Sequence, residues 1–143
     1  MLRRVCLSLM LCVPWTVAGC SAFNGLFDPT SVTIQLVNNG SHEVRAIVYT
    51  SGDEKVFKTI LTTLGTRREF AIPAGQSATL TTDCDDLRAI IIDKAELQSI
   101  GTPSDETNVL RDGDDFDCGN TIVFTFDHSL NVFDFNITVN VQN

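Results

Sequence analysis

Aromatic residues with a polar edge are nearly missing: the 143-residue chain has one tryptophan, Trp15, and one tyrosine, Tyr49. An exposed platform of the kind that stacks on sugars or anchors paratope-like contacts therefore lacks its usual residues. Positive charge is also scarce, with Lys plus Arg at 10 against Asp plus Glu at 18 and a net charge of −8. That balance argues against nucleic acid or anionic headgroups held on a basic surface. Histidine occurs twice, at His42 and His128, both in predicted turns and neither beside Ser or Cys in a recognisable nucleophile motif. There is no HExxH pair and no glycine-rich phosphate loop. Carboxylate pairs of glycosidase type can be drawn by chance from so many acids, so they decide nothing. No catalytic residue is assigned, and the protein is not expected to be an enzyme. The leading apolar run, from Val5 to about Val17, is broken by Pro14 and falls short of the roughly 20 residues of a membrane-spanning helix.

That leading run has another use. Arg3 and Arg4, the apolar stretch and the small residues behind it have the three parts of a secretory signal. The signal closes on Val17-Ala18-Gly19-Cys20, which resembles the lipobox of bacterial lipoproteins. The resemblance covers only the first twenty residues. It implies diacylglycerol attachment to the Cys20 thiol, cleavage before Cys20 and acylation of the new amino terminus. At about 0.8 kcal/mol per buried methylene, two or three acyl chains hold firmly where one is marginal. An ordinary signal cut after Ala22 is the alternative, since Cys20-Ser21-Ala22 also has small residues at the required spacing, but it gives no role to the preceding Val-Ala-Gly. Ser21 stands where, in that family, an aspartate favours inner-membrane retention, so the resemblance points to the cell envelope and to the outer membrane. The chain divides into a cleaved signal over 1–19, a lipidated terminus and tether over 20–30, and a folded domain over 31–143. Losing Arg3 and Arg4 takes the charge from −8 to −10.

Of the five cysteines, Cys6 and Cys12 lie in the signal and Cys20 is the lipid site, leaving Cys84 and Cys118. In an exported domain the expected state of such a pair is a disulfide. Closing a loop of about 35 residues stabilises the fold by roughly 4 kcal/mol on the chain-entropy account. Neither cysteine has a Cys or His neighbour at zinc-ligand spacing.

Acids flank both cysteines: Asp83, Asp85 and Asp86 around the first, and Asp112, Asp114, Asp115 and Asp117 before the second. A Cys84–Cys118 bridge would draw these seven carboxylates into one neighbourhood, where mutual repulsion calls for a counter-charge. Calcium is one candidate, since it accepts six to eight oxygens from flexible loops, and these seven aspartates are its candidate ligands. Pairing with Arg88 and Arg111 is the simpler alternative. The spacing does not follow the EF-hand pattern. The same acids disfavour a thiolate, and with it a redox role for the pair.

Between residues 31 and 143 the apolar residues alternate with period two rather than at helical spacing. "SVTIQLVNN" and "EVRAIVYT" read as a hairpin about Asn38-Asn39-Gly40-Ser41, and "RREFAI" and "SATLTTD" as a second about Pro73-Ala74-Gly75-Gln76. A weaker strand is expected over about Lys55 to Leu61, and "LRAIII" has the continuous apolar run of a strand covered on both faces. In "NTIVFTFD", Ile122, Phe124 and Phe126 share a face. In "NVFDFNITVNV", Phe133, Phe135, Ile137, Val139 and Val141 do the same. Only Lys94 to Ser99 offers a helical turn, and "GTPSDETN" is loop composition.

The expected fold is all-β: an antiparallel β-sandwich of Ig-like type, about seven or eight strands, with one disulfide. The expected function is that of a membrane-anchored, exported lipoprotein whose sandwich is a non-catalytic binding or structural module. Its partners would be the membrane, through lipid on Cys20, and a protein or other envelope component; nucleic acid is not expected. Two alternatives remain: a calcium-dependent adhesion or assembly module, and an enzyme or enzyme inhibitor using the 99–119 loop. No cofactor other than calcium is implied.

Overall fold

The computed structural model describes residues 29–98, 104–128 and 134–143. The expectations for the signal, Cys20 and most of the tether fall on residues outside that set, as does Phe133. Among the described residues the chain forms nine strands and one short helix: β1 Ser31–Asn38, β2 Val44–Ser51, α1 Lys58–Leu64, β3 Thr66–Ile72, β4 Ser77–Asp83, β5 Ala89–Leu97, β6 Ser104–Asp105, β7 Leu110–Arg111, β8 Thr121–Asp127 and β9 Asn136–Gln142. They build two sheets. One runs β4-β1-β8-β9; the other runs β3-β2-β5-β6, with β7 also paired to β5.

The alternation read from the sequence sets the packing. Val32, Ile34 and Leu36 of β1 and Ile122, Phe124 and Phe126 of β8 point inward against Val44, Ala46 and Val48 of β2 and Ile90 and Ile92 of β5. In β5 all of Ala89, Ile90, Ile91 and Ile92 are buried, because the strand is covered on both faces. Its inner face meets the other sheet. On its outer face Ala89 and Ile91 pack with Val56 and with Leu61 of α1.

Several sequence expectations are corrected. There are nine strands, two of them only two residues long, rather than seven or eight. The sandwich is not wholly antiparallel, since β1 and β8 pair in parallel. Neither predicted hairpin forms: β1 pairs with β4 and β8, whereas β2 pairs with β3 and β5, so both the 39–43 and the 73–76 turns cross between sheets. In an immunoglobulin domain the first two strands share a sheet, and here they do not. The two-sheet β architecture and its disulfide stand, without that subtype.

The two crossings meet at Asn38, which is 1% exposed. Its amide nitrogen donates to the carbonyls of His42 at 2.8 Å, Ile72 at 2.9 Å and Pro73 at 3.2 Å, while its Oδ1 accepts from the Gly40 amide at 2.9 Å. One side chain thus holds both turns at the corner where the chain changes sheets.

The expected strand over Lys55 to Leu61 gives way to α1, in which only Leu61 is buried while Phe57, Ile60 and Leu64 lie outside. The expected helical turn at Lys94 is the end of β5. A register shift opposite Ile47 and Val48 leaves Asp93 unmatched, so that Ile90 and Ile92 before it and Ala95 and Leu97 after it face the same core. Along β9, Ile137 and Val141 are half-buried and Val139 is 38% exposed, because this strand forms the edge of its sheet.

Candidate functional site

The disulfide end of the sandwich is assembled from the loops 52–57, 84–88 and 112–120 together with Pro29 and Thr30. Cys84 and Cys118 are bonded, with Cα atoms 5.6 Å apart and a sequence separation of 34. The Cys84 amide donates to the Thr30 carbonyl at 2.9 Å, and the Arg88 amide to the Ser51 carbonyl at 2.7 Å. Gly119 has φ +93°, and a Cβ there would lie 2.6 Å from Pro29 Cγ. The left-handed backbone and the tight approach to Pro29 both require glycine at this position. A cavity of about 590 Å³, lined in part by Pro29, Thr30, Cys84 and Cys118, opens beside the bridge. A second, of about 410 Å³, lies among Glu54, Lys55, Arg111 and Asp112–Asp114.

The bridge brings the two acidic segments to the same end, and the segments divide by partner. Arg88 holds Asp112 through Nη1 and Asp85 through Nη2, the latter at 3.2 Å. These bonds, to Asp112 first and then Asp85, raise the guanidinium pKa above the ordinary arginine value. A raised pKa places this contribution in full below the ordinary value, so the cation persists throughout the range in which the protein is handled. Asp115 turns back on its own loop, its Oδ2 accepting the Arg111 amide at 2.8 Å. The Arg111 guanidinium reaches the carbonyls of Glu54 and Val56 at 3.3 and 3.2 Å. The Asp117 amide donates to Asn120 Oδ1 at 2.7 Å. Asp83 closes β4, and the side chains of Asp83, Asp86 and Asp114 face solvent.

Among the described residues no group of three or more His, Cys, Asp or Glu side chains is arranged to hold a metal ion. Arg88, which bonds to both acidic segments, links them at this end. The sequence marked it only as one salt-bridge alternative, because its partner Asp112 lies 24 residues away.

The opposite end carries both histidines. Their ring centroids are 5.4 Å apart, and His128 lies over Gly40, where a Cβ would strike the ring. Ser41 Oγ is 3.2 Å from His42 Nδ1, a neighbour contact on an exposed turn. Both cavities described above lie at the other end of the sandwich, so this pair is not recessed in either of them. Sequence reasoning did not single out Asn38, Pro29 or the outward apolar face of α1. For the last, a readable signal existed in Phe57-x-x-Ile60-x-x-x-Leu64, whose i, i+3, i+7 spacing is helical.

No family model matches the chain, and no curated protein matches it. Among solved structures it is similar to the T6SS lipoprotein TssJ1 from Pseudomonas aeruginosa, at 14% identity and TM-score 0.43 over 81% of this chain and 98% of that one. It is similar also to a structure described as a Gram negative toxin, at 11% identity and TM-score 0.44 over 78% of this chain and 23% of that one. A third is the human-specific toxin intermedilysin, at 12% identity and TM-score 0.42 over 79% of this chain and 24% of that one. The chain thus spans about a quarter of either toxin. Likeness at this level leaves function to be argued from the residues.

Proposed function

We propose that the chain is an exported lipoprotein, held to the cell envelope by lipid on Cys20, whose sandwich is a non-catalytic module that presents a rigid surface to a partner. The observation that carries this reading is Val17-Ala18-Gly19-Cys20 at the end of a signal-like segment, with the first strand of the sandwich, β1, beginning at Ser31. The paired state of Cys84 and Cys118 fits export, since such bonds persist in oxidising compartments. The outer membrane is the proposed location, on the serine at position 21.

The mechanism is display. Lipid limits where the domain can be, and a closed two-sheet core with a cross-linked end presents its loops in one orientation. The acidic loops serve the architecture in this reading, because Arg88 ties Asp85 to Asp112 across the disulfide end.

The test is intact mass of the membrane-extracted protein, beside a Cys20→Ser variant. Cleavage before Cys20 with added acyl mass, abolished by the substitution, is the expected result. A product cut after Ala22 would refute the anchor. Thermal unfolding of the same material with calcium separates the calcium-dependent alternative, which requires a saturable rise in melting temperature that is lost when Asp114 and Asp117 become Asn.

A further inference from the structure

We infer that the outward face of α1 is a second membrane contact, which lays the disulfide end of the domain against a zwitterionic lipid surface. The inference rests on the lipid anchor proposed above and adds an orientation to it. Phe57 is 76% exposed, Ile60 47% and Leu64 79%; Ile60 and Leu64 stand one turn apart on α1 and Phe57 is the extended residue that caps its start, so the helix carries a stripe of exposed apolar side chains while Leu61 is buried. Large apolar side chains gathered on one exposed face are the uncommon observation on a protein surface; single ones are ordinary.

Position selects the occupant. The described chain starts at Pro29, and Thr30, Cys84, Arg88 and Ser51 form an unbroken chain of backbone hydrogen bonds and neighbours across this end. α1 belongs to the same end: it follows β2 by a short loop, and a Cβ at Gly65, just past the helix, would lie 2.9 Å from the Thr50 carbonyl. Eight residues, 21–28, separate Cys20 from Pro29. Fully extended they span at most about 29 Å, so a lipid on Cys20 keeps this end, and the stripe with it, near the bilayer. Phe, Ile and Leu on one side of a short helix are suited to the boundary between headgroups and acyl chains. Lys55 and Lys58 beside them pair with Glu54 at 3.9 Å and Glu106 at 2.6 Å, so this rim is zwitterionic itself, and the long lysine stems can lie along the surface.

Charge selects the lipid. The seven aspartates flanking Cys84 and Cys118 crowd the same end, so an anionic surface would repel it and a zwitterionic one would not. The loops at the other end, 39–43 and 73–76, then face away from the membrane and are free for a partner.

The test uses the mature lipidated protein, which retains no tryptophan once Trp15 leaves with the signal. Phe57→Trp places a reporter on the stripe, and Ala74→Trp places one on the distal turn. Each protein is reconstituted into phosphatidylcholine vesicles containing lipid brominated near the headgroup end of its chains. A blue-shifted emission that bromine quenches in Phe57→Trp, with solvent-like, unquenched emission in Ala74→Trp, is the expected result. It should reverse when Leu64→Asp and Ile60→Asp are added. Solvent-like emission from both reporters on a protein of lipidated mass would overturn the contact and leave the anchor standing. A blue shift without quenching would mean that protein covers the stripe, either the tether or a second copy, and would also overturn it. A mass without acyl chains would remove the anchor and this inference together.

Discussion

Replacing Asn38 tests whether one buried amide sets the sandwich topology. Asn38→Ala removes donors from the His42 and Ile72 carbonyls and an acceptor from the Gly40 amide, all within 2.9 Å of the present side chain, with Pro73 sharing the third contact at 3.2 Å. The site is 1% exposed, so water does not readily take over those bonds. At about 1 kcal/mol for each of three bonds, the loss is about 3 kcal/mol, a large part of a small domain's stability. Melting temperature should fall by about 10 °C.

Asn38→Asp separates hydrogen bonding from shape. An ionised carboxylate there faces the carbonyl oxygens of His42, Ile72 and Pro73, so burial and repulsion raise its folded-state pKa above the unfolded value of about 3.9. The penalty is full above the folded pKa and shrinks as pH falls through it, so this variant should lose less stability relative to wild type in acid than at neutral pH. Urea unfolding at pH 7 and pH 4.5, with the disulfide intact, measures both. A loss under about 1 kcal/mol for Asn38→Ala, or no pH dependence for Asn38→Asp, would refute the assignment of the crossings to this side chain.

Other expectations follow from separate parts of the structure. Reducing the Cys84–Cys118 bond, or replacing both cysteines with Ser, should cost about 4 kcal/mol for a separation of 34 residues, read as the difference between denaturation curves with and without reductant. Gly119→Ala should destabilise by more than Gly75→Ala. Both have positive φ, at +93° and +68°, worth about 1 to 2 kcal/mol to an L-residue, but only the first drives a Cβ into Pro29. Equal melting temperatures for the two variants would show that Pro29 does not pack there. Phe124→Ala should cost about 3 to 5 kcal/mol, since the ring is fully buried between the sheets; a smaller loss by denaturant titration would mean that the core collapses around the gap.

Individual strands were legible wherever one face is buried. In β1, β2 and β8 the inward residues fall at every second position, and in β5 the run Ala89–Ile92 announced a strand covered on both sides. The disulfide was legible as the cysteine pair that remains once the signal-like segment and the lipobox-like Cys20 are set aside. Partners were not. Period-two alternation is the same whether β1 pairs with β2 or crosses to the other sheet, and the residue that decides, Asn38, looks in sequence like an ordinary turn residue. The segment of α1 was read as a strand although Phe57, Ile60 and Leu64 have helical spacing, because those residues face outward and a single residue of the helix, Leu61, is buried.

By itself the sequence determined what is local: a signal-like leading segment that ends on the lipobox-like Cys20, the strand periods, and an acidic domain with one cysteine pair. Tertiary structure decided what depends on distant residues meeting. Packing two sheets made β1 and β8 parallel neighbours, and folding brought Arg88 between Asp85 and Asp112. It also placed α1 at the same end as the disulfide. Such contacts follow from how the whole chain packs its strand faces and pairs its buried polar groups, rather than from any window along it.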